Sequence, residues 1–133
     1  MLAKLSKPSI DLGIVVRDAE AMVAFYRDLL GFELEGEVEM PGLRMVRLLC
    51  GDSVIKLVKP DTAPEVGAPP GGIFGATGVR YWTLAVDNLD EIADACTKAG
   101  CAMPVKTREA RPGVRIFIVE DPDGNWVEFA EYA

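Results

Sequence analysis

The chain has 133 residues, half of them hydrophobic and 26% charged, with a net charge of −7 and no histidine. That length suits one domain, 1–133, whose core needs no disulfide staples, and the acidic balance argues against nucleic acid as a partner. Cys50, Cys96 and Cys101 are odd in number and lack metal-ligand spacing, so they read as reduced thiols of a cytoplasmic protein; no leader is expected at MLAKLSKPS and no run is long enough to span a membrane.

Ile10 to Val16 reads as a strand, with Leu12, Ile14 and Val16 on one face and Asp11, Gly13 and Val15 on the other. A helix follows: Asp18 caps it, and Met22, Phe25, Tyr26, Leu29 and Leu30 fall at helical spacing before Gly31. In FELEGEVE, Phe32, Leu34, Gly36 and Val38 alternate with four glutamates, which predicts a strand with one acidic face. Leu43–Cys50 and Val54–Val58 then form a hairpin around Gly51 and Asp52. These elements make a first βαβββ module, 10–58. The segment 59–80 is rich in Pro and Gly and reads as a linker, with Phe74 placed to act as a lid or simply to ride on a flexible loop.

The pattern then restarts as a second module, 81–131. Tyr81 to Val86 is a strand, Asn88 with Glu91 resembles a capping box, and Ile92, Ala95, Cys96 and Ala99 form a helical stripe ended by Gly100. A weak strand is expected at 101–107, and 114–119 pairs with 126–130 around DPDGN. Val86 lies 70 residues after Val16, Arg115 71 after Arg44 and Glu128 72 after Lys56, an offset steady enough to indicate an internal duplication.

Alternation assigns the faces. If each helix covers the Ile14 and Leu84 side of its sheet, Asp11 and Lys56 point away from the first helix, and Tyr81, Thr83, Trp126 and Glu128 point away from the second. Lys56 and Glu128 then read either as an internal salt bridge or as part of a proton-transfer site. Arg115, Phe117 and Val119 fall opposite Val114, Ile116 and Ile118, which turns Arg115 and Phe117 toward the same uncovered side, as ligand contacts. Trp126 there either stacks on a planar ligand or fills volume.

The stretches DLGIVVRDAEAMVAFYRDLLGF, YWTLAVDNLDE and DPDGNWVEF resemble the vicinal oxygen chelate superfamily of glyoxalase I, bleomycin-resistance proteins and extradiol dioxygenases. The resemblance implies an α+β fold in which two tandem βαβββ modules form a cup-shaped mixed sheet, and it implies a homodimer. It also implies that ligand positions come from the first and last strands of each module, which here are Asp11, Lys56, Tyr81 and Glu128. Metal-dependent members usually carry His or Gln at the Asp11 and Tyr81 positions and a carboxylate at the Lys56 position, so only Glu128 keeps a usual ligand. A lysine ammonium repels a divalent ion, and the expectation is no metal and no cofactor.

Two functions follow as expectations. One is a metal-independent isomerase, epimerase or lyase acting on a small carbonyl compound, with Lys56 and Tyr81 stabilising oxyanion charge and Asp11 or Glu128 moving the proton. The other is a non-catalytic small-molecule binder of the drug-sequestering kind. A cavity filled by the chain's own side chains is the bland alternative to both.

Overall fold

Two strands of β-branched and aliphatic residues start the first sheet from opposite ends of its half of the chain. In the computed structural model, which describes residues 2–133, β1 (Leu12–Val15) pairs in parallel with β4 (Ser53–Pro60), placing Gly13 beside Lys56 and Val15 beside Val58. β3 (Leu43–Cys50) and β2 (Glu33–Met40) continue it antiparallel, in the order β1-β4-β3-β2. The second sheet repeats this order as β5-β8-β7-β6, from β5 (Tyr81–Ala85), β6 (Val105–Arg111), β7 (Val114–Glu120) and β8 (Trp126–Tyr132). The chain divides into two compact units, Met1–Glu65 and Val66–Ala133, one for each sheet.

The duplication holds at the level of single hydrogen bonds. Val16 N donates to Val58 O at 2.9 Å, and Val86 N, 70 residues on, donates to Ala130 O at 2.8 Å. One face of each sheet is the core. In the first unit Val16, Val46, Leu48, Ile55 and Leu57 are buried with Met22, Phe25 and Tyr26 of the helix. Each buried aliphatic or aromatic side chain contributes about 1.5–3 kcal/mol of burial. In the second, Phe117, Val119, Val127 and Phe129 are buried together with Leu89, Ala93 and Cys96 of α2 (Leu89–Lys98).

The first helix departs from simple periodicity. α1 (Ala19–Val23) is capped by the Asp18 side chain, which accepts from Ala21 N at 3.0 Å. It then widens into a π-helical turn over Ala24–Leu29, with Leu30 N bonded to Phe25 O at 3.0 Å. The wider turn keeps the adjacent aromatics Phe25 and Tyr26 both buried, their rings edge to face at 4.8 Å. Gly31 at φ 87 ends it in the left-handed region.

Three expectations about the strands change. In β2 the pairing slips between Leu34 and Gly36, which leaves Glu35 as an extra residue. A bulge inverts the alternation downstream, so Gly36 sits beside Arg47 while Glu37 and Glu39 sit beside Val46 and Arg44. The four glutamates therefore do not share one face. The third strand of the second half lies at Val105–Arg111, further on than 101–107, because the Met103-Pro104 stretch stays outside the ladder. Finally, the 59–80 segment is partly strand, since β4 runs to Pro60, and its later part is wound tightly. A 3-10 turn, Gly72–Phe74, is held by Arg80, whose Nε donates to Gly72 O at 2.7 Å and whose Nη2 donates to Pro69 O at 2.6 Å.

Candidate functional site

Each unit has a second face, away from its helix, and the polar residues on it come from the strand pairings. In the first unit that face carries Asp11, Lys56 and Arg47. The Asp11 carboxylate sits just before β1, where Oδ1 accepts from Lys7 Nζ at 2.6 Å and from Val54 N at 2.9 Å. The Lys7 hydrogen bond, then the Val54 amide, hold this carboxyl below its ordinary range, with the Lys56 charge adding to them. Asp11 is thus a stabilised anion and a weak base. Lys56 lies one position along β4 from Ile55, directly between Gly13 of β1 and Arg47 of β3. Arg47 was not among the expected site residues. Its Nε donates to Glu35 Oε1 at 3.0 Å and its Nη2 to Oε2 at 3.3 Å, so the residue extruded by the bulge holds the guanidinium. The signal for it was available: counting back across the Gly51-Asp52 turn puts residue 47 opposite residue 56.

In the second unit the open face carries Tyr81, Thr83, Trp126 and Glu128. Thr83 pairs with Glu128 in the parallel ladder, and its hydroxyl donates to Glu128 Oε1 at 2.8 Å. The contact fixes the carboxylate through one oxygen and leaves Oε2 available. Tyr81 begins β5 two residues before Thr83, on the same face and diagonal to Glu128, and is 42% exposed. A carboxylate oriented by a hydroxyl, with a phenol on the same face of the sheet, is a pair able to take and give a proton.

Two expected ligand contacts change face, and a third is covered. Ile118 pairs with Glu128 and Phe117 with Phe129, so Phe117 lies on the helix side of its sheet. There it is fully buried and stacked on Phe129 at 5.0 Å. Arg115 lies on that side too. Its Nη2 donates to Asp90 Oδ1 of α2 at 2.6 Å, and its Nη1 donates to Glu131 Oε2 at 3.5 Å. Arg115 ties the helix to the sheet and does not look out from the open face. Trp126 is on the open face, but Gly72 packs on its ring so closely that a Cβ there would overlap the ring carbons. Its Nε1 donates to Glu120 Oε1 at 3.2 Å. The indole is the seat of the 69–80 loop, which takes up the ring surface that a planar ligand would need. The loop in turn presents Phe74, 96% exposed, and borders a hollow of ≈ 600 Å³ between Ile73, Val79 and Tyr81.

Within neither unit, among the described residues, do three His, Cys, Asp or Glu side chains group as a metal ion would need. Among the described residues no helix is long and apolar enough to cross a membrane.

Comparison with known proteins places this architecture. Residues 10–129 match the family model described as Glyoxalase/Bleomycin resistance protein/Dioxygenase superfamily. The uncharacterized protein YwbC of Bacillus subtilis (strain 168) is 28% identical over 125 residues, covering 88% of this chain and 91% of that protein. A glyoxalase family protein from Bacillus cereus superposes with a TM-score of 0.82 at 20% identity, over 98% of this chain and 97% of its own. A lactoylglutathione lyase from Agrobacterium tumefaciens gives a TM-score of 0.67 at 25% identity, over 94% and 96% of the two chains.

Proposed function

The chain belongs to the glyoxalase/bleomycin resistance protein/dioxygenase superfamily, and from that premise we propose that it is a metal-independent enzyme moving a proton on a small carbonyl compound. The observation that carries this reading is the Thr83–Glu128 contact at 2.8 Å on the same open face as Tyr81. Glu128 takes the proton from the carbon beside the carbonyl. The Tyr81 hydroxyl hydrogen-bonds the carbonyl oxygen as negative charge develops there. Returning the proton to another carbon, or to the other side of the same one, makes an isomerase or epimerase; loss of a leaving group from the enolate makes a lyase. Asp11, already bonded to Lys7 and the Val54 amide, is the weaker candidate for the base. Lys56, on the open face of the first unit, offers an ammonium to negative charge on a ligand bound there.

The divalent metal used elsewhere in the superfamily does not fit these residues. Asp11 Oδ1 already carries the Lys7 ammonium, and Lys56 adds a second positive charge to the same face. The homodimer belongs to this reading as well. Its support is the edge strand β2, whose Leu34, Val38 and Met40 are 40–41% exposed, and light scattering of the eluting protein tests it.

The direct test is deuterium exchange. Small ketones, aldehydes and oxo acids are incubated with the protein in heavy water and followed by proton NMR. At least one should lose its α-proton signal, Glu128→Gln should slow that exchange by about 10²-fold or more, and Thr83→Val should slow it less. Exchange that proceeds unchanged in Glu128→Gln would dismiss the assignment. A second reading, ligand sequestration without chemistry, draws on the exposed Phe74 and the hollow beside it. A planar drug bound tightly and recovered unmodified, with no exchange on any carbonyl compound, would favour it.

A further inference from the structure

Arg47 and Lys56 stand directly across from each other on β3 and β4. Two cations in that relation repel, and the fold does not call for them. In the second unit the equivalent places, 71 and 72 residues on, hold Ile118 and Glu128, which pair in the same way. Two carboxylates lie near the pair: Glu35 beside Arg47, and Asp11, whose charge reaches both cations without a direct bond to either. Glu35 takes Arg47 from the side, through Nε and one hydrogen of Nη2, so the end of the guanidinium has no partner among the described residues. Asp11 is engaged by Lys7 and the Val54 amide, and among the described residues Lys56 has no carboxylate within 4.0 Å in its own unit. On the far side of Lys56 is Gly13, at the place that Thr83 fills beside Glu128. A Cβ on Gly13 would meet nothing within 4 Å. Across β1, β4 and β3 the open face thus carries, side by side, a missing side chain at Gly13, the Lys56 ammonium and the Arg47 guanidinium.

We infer that this position on the first sheet binds the carboxylate of a small ligand, received end-on by Arg47 and charge-matched by Lys56. A guanidinium held in place by Glu35 presents two parallel N–H donors at carboxylate spacing, and the ammonium adds a point charge beside them. The anion also removes the repulsion between the two cations. The position lies within the first unit and stands apart from the proton transfer proposed on the second.

Pyruvate is the probe, titrated at fixed ionic strength against acetone, which lacks the carboxylate. Arginine Nε–H and lysine Nζ resonances are followed by ¹H–¹⁵N NMR. Pyruvate should shift Arg47 and Lys56 selectively while acetone shifts neither. Arg47→Gln and Lys56→Met should each weaken pyruvate binding by about tenfold or more, the effect of losing a charged hydrogen bond. Arg47→Lys, keeping charge without the fork, should fall between wild type and Arg47→Gln. Undiminished binding in Arg47→Gln, or shifts spread evenly over Arg44 and Arg111, would overturn the inference. Exchange confined to neutral ketones, without carboxylate binding, removes this inference and leaves proton transfer standing. Pyruvate binding at the pair without any exchange does the reverse.

Discussion

Replacing Asp121 by alanine should cost the second unit about 3 kcal/mol. Asp121 begins the DPDGN turn between β7 and β8 and is only 4% exposed. Its Oδ1 accepts from Asp123 N at 2.9 Å, Asn125 N at 2.9 Å and Asn125 Nδ2 at 3.1 Å, and its Oδ2 accepts from Asn125 Nδ2 at 2.9 Å. Hydrogen bonds to a charged group contribute about 1.5–3 kcal/mol each, but bonds to one carboxylate are not additive, so about 3 kcal/mol is a fair total. Asp121→Asn retains an acceptor at Oδ1, where most of these bonds end, and should cost about 1 kcal/mol. Both tryptophans, Trp82 and Trp126, lie in Val66–Ala133, so fluorescence in urea reports on this unit. With a slope of about 2 kcal/mol per molar urea, the alanine variant should unfold about 1.5 M earlier than wild type. A shift under about 0.5 M for alanine, or an equal shift for alanine and asparagine, would refute the reasoning. In the first case the turn does not depend on the side chain; in the second the charge matters and the bonds do not.

Other consequences can be checked on the same material. Asp11 has a folded-state pKa below its ordinary 3.8, held down first by the Lys7 hydrogen bond, so its contribution is complete above that pH and fades as pH falls through the lowered value. The melting-temperature difference between wild type and Asp11→Asn should accordingly stay level from pH 7 to about 4 and shrink only below it; shrinkage already between pH 7 and 5 would contradict this. Burial, with Cys101 alongside, pushes the Cys96 thiol up to about 11, so a disulfide reagent at pH 8 should leave Cys96 unmodified until denaturant is added, as peptide mass mapping would show. Gly72→Ala forces a Cβ into the Trp126 ring at a backbone φ of 55 and should cost about 2 kcal/mol or more in the same urea assay. Gly36→Ala, where a Cβ meets nothing within 4 Å, should cost less than about 0.5 kcal/mol by circular dichroism.

Where side chains alternate in polarity, faces were legible from sequence. Asp11, Lys56, Tyr81, Thr83 and Glu128 fall on the sides that alternation gives them, because their strand neighbours are aliphatic on the opposite side. β7 gave no such signal. Its residues Ile116, Phe117, Ile118 and Val119 are buried on both faces, and its two polar residues are engaged near its ends, Arg115 by α2 and Glu120 by Trp126. β2 misled for another reason, since no local residue announces the bulge at Glu35 and one extra residue reverses everything after it. Arg47 follows from a register count, but alternation does not mark it, because Arg44 and Arg47 fall on opposite faces of an otherwise apolar strand. The order in the 69–80 loop depends on Arg80 and Trp126, partners outside the Gly-rich stretch, so its composition resembled that of a flexible linker.

The repeated Val16–Val58 and Val86–Ala130 bonds show two copies of one backbone plan, yet the corresponding strand positions hold a lysine in one copy and a glutamate in the other. A freshly doubled fragment presents the same side chain twice, and redundancy of that kind frees one copy from the ancestral task. Here opposite signs have come to occupy matching addresses. Exchanging them tests how far the copies have parted: Gly13→Thr with Lys56→Glu writes the second copy's Thr-Glu pair onto the first.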